Sequence, residues 1–302
     1  MAASSIRSTS PQSRMPTHAA ASAMTTRRAI RYPGVLPGFV PTLGLTLSYL
    51  GLIIVIPLAA LAVRAASFGP SAFAATLMSQ RTLAAFEVTF GLSMAAAVFN
   101  AIAGLVLAWV LARYPFPGRR LVDAVVDLPF ALPTAVAGIT LATLYSDTGW
   151  LGRVLAPFGL EVSYTRLGIF VALVFIGLPF VVRAVQPLIA DLDQHEEEAA
   201  HTLGASDFAI FRRVIFPALL PGVLTGTALA FARAVGEYGS VIFIAGNMPG
   251  VSEIVPLLIV TKLEQYDYGG AAAIAMVMLV VSFAMLLVIN GVEHWARRRH
   301  GG

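Results

Sequence analysis

Residues 88–112 read VTFGLSMAAAVFNAIAGLVLAWVLA, a run with no charged side chain and a single amide, Asn100. A helix crosses the ~30 Å hydrocarbon layer with roughly 20 residues at a rise of 1.5 Å each, so this run is long enough to span it. Lipid offers backbone groups no water, which leaves helices or closed barrels, and a barrel would show short alternating strands instead. Working outward, the same reading applies to residues 42–63, 128–145, 167–190, 218–247 and 269–292. The expectation is an all-α polytopic membrane protein with six transmembrane helices. The third run is short and extends back to Leu121 only by taking in Asp123 and Asp127. The fourth carries Arg183 near its far end, and the fifth is interrupted by Arg233 and Glu237.

Composition agrees with the runs. The 302 residues are 58% hydrophobic and 12% charged, with a mean hydropathy of +0.81, whereas a soluble domain carries about 25% charged residues. A water-soluble globule is excluded. There is no cysteine, hence no disulfide, thiolate nucleophile or cysteine-ligated metal. Among the 20 basic residues the one lysine is Lys262, in Val260-Thr261-Lys262-Leu263. A P-loop needs Gly-Lys-Ser/Thr behind a glycine-rich loop, so this chain does not grip ATP in that way.

Arginine placement sets the expected orientation. Arg7, Arg14, Arg27, Arg28 and Arg31 precede the first run, Arg113, Arg119 and Arg120 follow the second, Arg212 and Arg213 precede the fifth, and Arg297, Arg298 and Arg299 end the chain. The alternate loops hold Arg81, Arg153, Arg166 and Lys262. Both termini and the loops after the second and fourth runs are therefore expected in the cytoplasm. Residues 1–35 are rich in Ala, Ser, Thr and Arg, and the first acidic residue is Glu87. That stretch reads as a disordered tail or, alternatively, as an organellar transit peptide. It lacks the apolar core of a secretory signal.

Residues 196–217 carry the most specific pattern. Glu196, Glu197 and Glu198 belong at a helix start, where the macrodipole favours negative charge. Ala199 and Ala200 form helix with little bulk, Gly204 suits a left-handed helix stop, and Ser206 or Asp207 can cap a second helix. Arg212 and Arg213 fit that helix's last turn, and Phe208, Phe211 and Ile215 fall on one face. From pattern alone this is either an amphipathic helix pair on the membrane or a docking element.

Glu198-Ala199-Ala200, three residues, Gly204, nine residues, then Val214-Ile215-Phe216-Pro217 resembles the EAA loop of ABC-type importer permeases. Val and Phe stand where that pattern has Ile and Leu. Arg113-Tyr114-Pro115-Phe116-Pro117-Gly118-Arg119, the stretch 127–138, the stretch 231–239 with Ile244-Ala245-Gly246-Asn247, and Leu263-Glu264-Gln265-Tyr266-Asp267-Tyr268 resemble the T-subunit permeases of sulfate/thiosulfate importers. Molybdate permeases share the Arg-x-x-Gly-Glu-aromatic-Gly element. The resemblance implies a type I importer (MetI-like) fold, with a first helix and periplasmic loop over 36–80, a core over 81–293 and a basic tail over 294–302. It implies a permease in the bacterial inner membrane, coupled through Glu198, Ala199, Ala200, Gly204 and Pro217 to an ATPase dimer that carries ATP and Mg. The chain itself then binds no cofactor or metal and has no catalytic residue. The implied partners are that ATPase, a second homologous permease of the W type, a periplasmic sulfate/thiosulfate-binding protein and membrane lipid, with no nucleic acid.

Charges inside the bilayer are costly and point to function or to a partner. Arg233 lies ~24 Å along a helix from Pro217, and Glu237 follows four residues later, within pairing reach. The pair either positions the fifth helix or lines the anion path and its gate. Asn100 is an interhelix hydrogen-bonding group or a further path residue. Gly236 and Gly239 flank Glu237 and allow close approach or a kink. Pro129 and Pro133 bracket the start of the third run, a break tolerated where protein or a water-filled cavity satisfies the backbone. Asp123 and Asp127 read as solvated ends. Two other function classes compete. An intramembrane enzyme is disfavoured because His18, His195, His201, His294 and His300 all fall outside the runs, and His195-Glu196-Glu197-Glu198-Ala199 lacks the second histidine of a zinc site. An ATP-independent transporter or channel would show inverted repeats, and none is evident.

Overall fold

The computed structural model describes residues 39–300, and no strand occurs among them. The stretch 1–35 and its two readings lie outside the described residues. The chain divides after Gly51 into two units. The first contributes α1 (Phe39–Leu50), an apolar helix whose described side chains are exposed. A π turn over Gly51–Val55 leads to the second unit, which begins with α2 (Ile56–Ser67), α3 (Pro70–Leu77) and the long α4 (Gln80–Arg113). Short helices follow: α5 (Arg119–Val126), α6 (Leu128–Ala131), α7 (Thr134–Tyr145) and α8 (Trp150–Leu155). Then come α9 (Arg166–Ala190), α10 (Gln194–Thr202), α11 (Asp207–Ile210), α12 (Phe216–Val235), α13 (Val241–Ile244), α14 (Val255–Glu264) and α15 (Tyr268–His300).

Five helical stretches among the described residues are long and apolar enough to cross a membrane: Pro41–Ser67, Gln80–Arg113, Arg166–Ala190, Asp207–Val235 and Tyr268–Val292. The sequence led us to expect six, and that expectation is corrected here. Residues 128–145 do not form a membrane-length helix. Leu132 precedes Pro133, whose ring disfavours the helical conformation for the residue before it, and here Leu132 is extended with ψ 136°. What remains is the 4-residue α6 and the 12-residue α7, the longer of them only about 18 Å. The expected fifth run is also redrawn. Its helix stops at Val235, capped at Gly236, instead of reaching Asn247. At its other end it runs back without a break through a π turn at Phe211–Ile215 to Asp207.

Helices α4, α9 and α12 pack on one another and form the centre of the second unit. Val181 of α9 is wholly buried among them. Gly104 of α4 meets its side chain, where an added Cβ would lie 2.8 Å from Val181 Cβ. Gly226 of α12 meets its backbone, where an added Cβ would lie 2.7 Å from Val181 Cα. Gly222 and Gly226 form a Gly-x-x-x-Gly ridge facing Val181, Ala184 and Leu188. Small residues of this kind let helix backbones approach where lipid supplies no hydrophobic drive.

The bundle has two distinguishable ends. Arg81, in the first turn of α4, forms a fork with Glu253, at 2.7 Å to one carboxylate oxygen and 2.6 Å to the other. Arg166, opening α9, donates to the Val251 carbonyl at the same end. Nearby, Asp267 accepts from Lys262 Nζ at 2.7 Å and from the Gly270 amide at 2.8 Å, which caps α15. The Lys262 bond, helped by the Gly270 amide, holds the Asp267 carboxyl below its ordinary range. That stabilisation is present above the ordinary carboxylate pKa and is lost as pH falls through the lowered value.

The close approach at Val181 generates a direct test. Gly226→Leu forces overpacking against backbone, which typically costs about 1–3 kcal/mol. The membranes should hold less protein, with a lower midpoint of thermal unfolding in detergent, whereas Gly91→Leu, at a glycine with open space beside it, should leave both unchanged.

Candidate functional site

The segment between α9 and α12 is a helix, a glycine turn and a second helix. Asp193 caps α10 by accepting the His195 amide at 2.9 Å, and Glu196 and Glu197 occupy its acidic first turn. The helix closes at Gly204, whose φ of +82° is left-handed. The Gly204 amide reaches the His201 carbonyl at 2.9 Å, and the Ala205 amide reaches that of Ala200 at 3.1 Å. A side chain at Gly204 would meet no neighbour, so its glycine is needed for backbone conformation and not for space. Ser206 caps α11, its Oγ accepting the Ala209 amide at 3.4 Å.

Charge and apolar contacts seat this turn on the core. Glu197 pairs with Arg113, the last residue of α4. The Arg113 guanidinium also lies over the Trp109 ring, 5.1 Å from its centroid, and the edge of Phe211 packs on the same ring. Ile210 and Ile215 are buried, and Ala200 packs against the cluster of Leu111, Val181 and Leu219. A cleft of about 430 Å³ between turn and α4 is lined by Leu105, Trp109, Glu197, His201 and Phe211. The outward side consists of Glu198, Ala199, Leu203, Gly204 and Phe208. Leu203 is 88% exposed and Phe208 71%, two large apolar groups on one small projection. Glu198 lies 3.6 Å from His195. Pro217 follows the π turn inside the continuous helix, where its ring removes one backbone donor from the ladder.

Two expectations about this turn change. Phe208, Phe211 and Ile215 do not share one fate, because Phe208 faces out while the other two pack inward. Arg212 and Arg213 do not end a helix, since the π turn carries it on into α12.

Within the membrane-length helices, Arg233 Nη1 pairs with Glu237 at 2.5 Å. Arg233 is in the last turn of α12 and Glu237 lies just beyond the helix end. The second carboxylate oxygen of Glu237 accepts the Ser240 amide at 2.9 Å and the Ser240 hydroxyl at 3.0 Å. Asn100 is 1% exposed, lies against Gly177 of α9, and neither of its amide atoms has a hydrogen-bond partner among the described residues. The interhelix hydrogen bond expected of it is not made. Asp123 and Asp127 are not simply solvated ends. Arg183 forks onto Asp127 at 2.8 and 2.6 Å, reaches Asp123 at 2.8 Å, and adds the Asp123 carbonyl and Gln186. This clasp ties α5 and α6 to α9 at the end of the bundle that bears the turn. Glu197, Arg183, Ser240 and Leu203 were not singled out as site residues from sequence. An Arg inside a run with two acids before the preceding one was the available signal for Arg183. Glu197 depends on how separate helices meet, Ser240 on the turn that returns it to Glu237 three residues back, and Leu203 on its exposure.

With this geometry in hand, comparison with known proteins assigns the class. Residues 101–298 match the family described as "Binding-protein-dependent transport system inner membrane component". The chain belongs to that family, and so to the membrane components of a transport system. It is 53% identical, over 84% of its own length and 88% of the other's, to the sulfate transport system permease protein CysT of Synechocystis sp.. Its fold is similar to that of a bacterial ABC transporter involved in the import of the acidic polysaccharide alginate, with a TM-score of 0.70 and 19% identity over 86% of this chain and 94% of that one. A chain of the MetNI methionine ABC transporter in an inward-facing conformation is similar at a TM-score of 0.51, with 16% identity over 70% of this chain and 94% of that one. The all-α MetI-like permease fold stands, with five membrane-length helices in place of six.

Asn100 separates stability from use. Two orphaned buried groups cost about 1–3 kcal/mol each, so Asn100→Leu should raise the unfolding midpoint of the purified protein. If Asn100 serves transport, uptake should fall in the same variant. Unchanged uptake with raised stability would remove Asn100 from the path.

Proposed function

We propose that this chain is the membrane-spanning permease subunit of an ATP-driven importer for sulfate or thiosulfate. The observation that carries the reading is the alignment with a sulfate permease along most of both chains. Its partners are an ABC ATPase dimer, a second homologous permease and a periplasmic binding protein that supplies the anion. ATP and Mg reside on the ATPase. The turn built on Glu198, Ala199, Ala200, Gly204 and Pro217 is the coupling element, with Leu203 and Phe208 presented to the ATPase. Arg233, Glu237 and Asn100 belong to the translocation path or its gate.

The same geometry supports an orientation. Arg113 with Glu197, and Arg183 with Asp123 and Asp127, keep the loop after α4 and the turn between α9 and α12 at one end of the bundle. Those loops also carry Arg119, Arg120, Arg212 and Arg213, so that end faces the cytoplasm. The fork between Arg81 and Glu253 marks the periplasmic end.

The test is labelled-sulfate uptake by cells lacking their own sulfate permeases, supplied with this chain and its three partners. Uptake should need all four and should stop when ATP is depleted. Gly204→Val places a branched side chain at a left-handed position, a strain of about 1–2 kcal/mol or more, and should misdirect the turn. Glu198→Lys reverses an exposed charge at the docking surface. Both variants should insert at near-normal levels, lose the ATPase on purification and lose uptake. If either retains its ATPase and transports at the parental rate, the turn is only a surface helix pair. Uptake by this chain alone without ATP would favour a secondary transporter.

A further inference from the structure

The Arg233–Glu237 pair is lopsided. Glu237 is 2% exposed, while the Arg233 side chain keeps 35% of its surface open. Glu237 is also the fixed partner: Ser240 holds its far oxygen with both amide and hydroxyl and is itself wholly buried. The Ser240 backbone lies so close to α7 that a Cβ on Gly138 would overlap it, and one on the adjacent Gly239 would overlap Thr134 at the start of α7. The turn holding the carboxylate is therefore wedged in place. A guanidinium carries five N–H donors. Arg233 directs Nη1 at Glu237, and no other hydrogen bond of its side chain is found among the described residues.

A pair built only to join two elements would use both partners fully, as the Arg183 fork does. Here one partner is immobilised and the other is left with donors to spare. We propose that Glu237 is a fixed counter-charge that attenuates Arg233, so that a passing oxyanion dianion is drawn to the guanidinium but released from it. Ser240 is the positioning residue that aims the counter-charge. The inference rests on the placement of Arg233 on the anion path given above. Its physical basis is that passage needs a site favourable enough to enter and weak enough to leave. An unattenuated guanidinium in low dielectric would hold a dianion strongly. A carboxylate at 2.5 Å cancels much of that field while leaving the remaining donors to order the oxygens.

The experiment uses the transporter assembled with its ATPase and second permease in lipid nanodiscs, with labelled sulfate as the probe. Two quantities are read: sulfate retained by the assembly without binding protein, and the maximal uptake rate in proteoliposomes with saturating binding protein. Glu237→Gln keeps the shape and removes the charge. It should tighten sulfate retention at least about 10-fold and slow maximal uptake by a similar factor, the signature of an anion that lodges. Ser240→Ala should move both quantities part of the way in the same directions, and Ser240→Thr, which keeps the hydroxyl, should restore them. Glu237→Asp, which withdraws the charge by one methylene, should resemble Ser240→Ala and serves if the Gln variant fails to assemble. Arg233→Gln should abolish retention. If Arg233→Gln abolishes retention while Glu237→Gln leaves it unchanged or weakens it, the counter-charge inference is overturned and the path assignment stands. If Arg233→Gln retains sulfate like the parent, the path assignment itself fails.

Discussion

Val181 is surrounded by two glycines. Gly104 on α4 and Gly226 on α12 approach it so closely that neither position has room for one added carbon. In lipid, helix association draws on close packing and a few polar contacts, and this contact supplies the packing for the three central helices. The largest buried cluster of the second unit includes Val181. Leu111, Val185, Ile189 and Leu219 extend the same buried cluster toward the end that bears the exposed turn, and Ala172, Ala234 and Ile244 belong to a second cluster.

Because the central helices are locked together, contacts at their ends can act on the whole bundle. Arg113 ends α4, stacks on Trp109 and pairs with Glu197 of the exposed turn. Arg183 grips the two aspartates that precede the broken α6–α7 segment. A push on the turn thus reaches α4 through one ionic contact and α12 through unbroken helix. The α6–α7 segment in turn touches the Ser240 turn that fixes Glu237. Packed interfaces have discrete arrangements and do not deform smoothly. Under the proposed coupling, movement of the turn is passed along these contacts to the surroundings of Arg233.

The helical class, the long apolar runs and the helix–glycine–helix turn were legible in the sequence, because each depends on local composition. Residues 88–112 could not be anything but a membrane-length apolar helix, and Gly204 announced its left-handed turn. The failures have physical causes too. Residues 128–145 are apolar enough to span, but apolarity does not carry the helix across Leu132, which the following Pro133 biases toward the extended backbone it adopts. The run through Arg233 was read as continuing to Asn247, whereas Gly236 ends the helix and leaves Glu237 on a turn. Asp123 and Asp127 were taken for solvated ends because their partner Arg183 lies on a different helix. Glu197 and Glu198 are adjacent and chemically identical, so only the fold separates the one that binds Arg113 from the one that faces out. Ser240 lies only three residues from Glu237, but its role appears only once the helix stops at Gly236 and the following turn brings the two together.

Coupling through the exposed turn is the central claim, and the absence of cysteine makes it directly measurable. A single cysteine at Leu203, 88% exposed, can carry a short photo-crosslinker in membranes containing the complete transporter. The account predicts a covalent adduct between this chain and the ATPase subunit, with a yield that changes on adding ATP. The same probe at Ile102, exposed on α4, should give no ATPase adduct. Labelling of lipid alone from Leu203, or equal ATPase adducts from both positions, would contradict it.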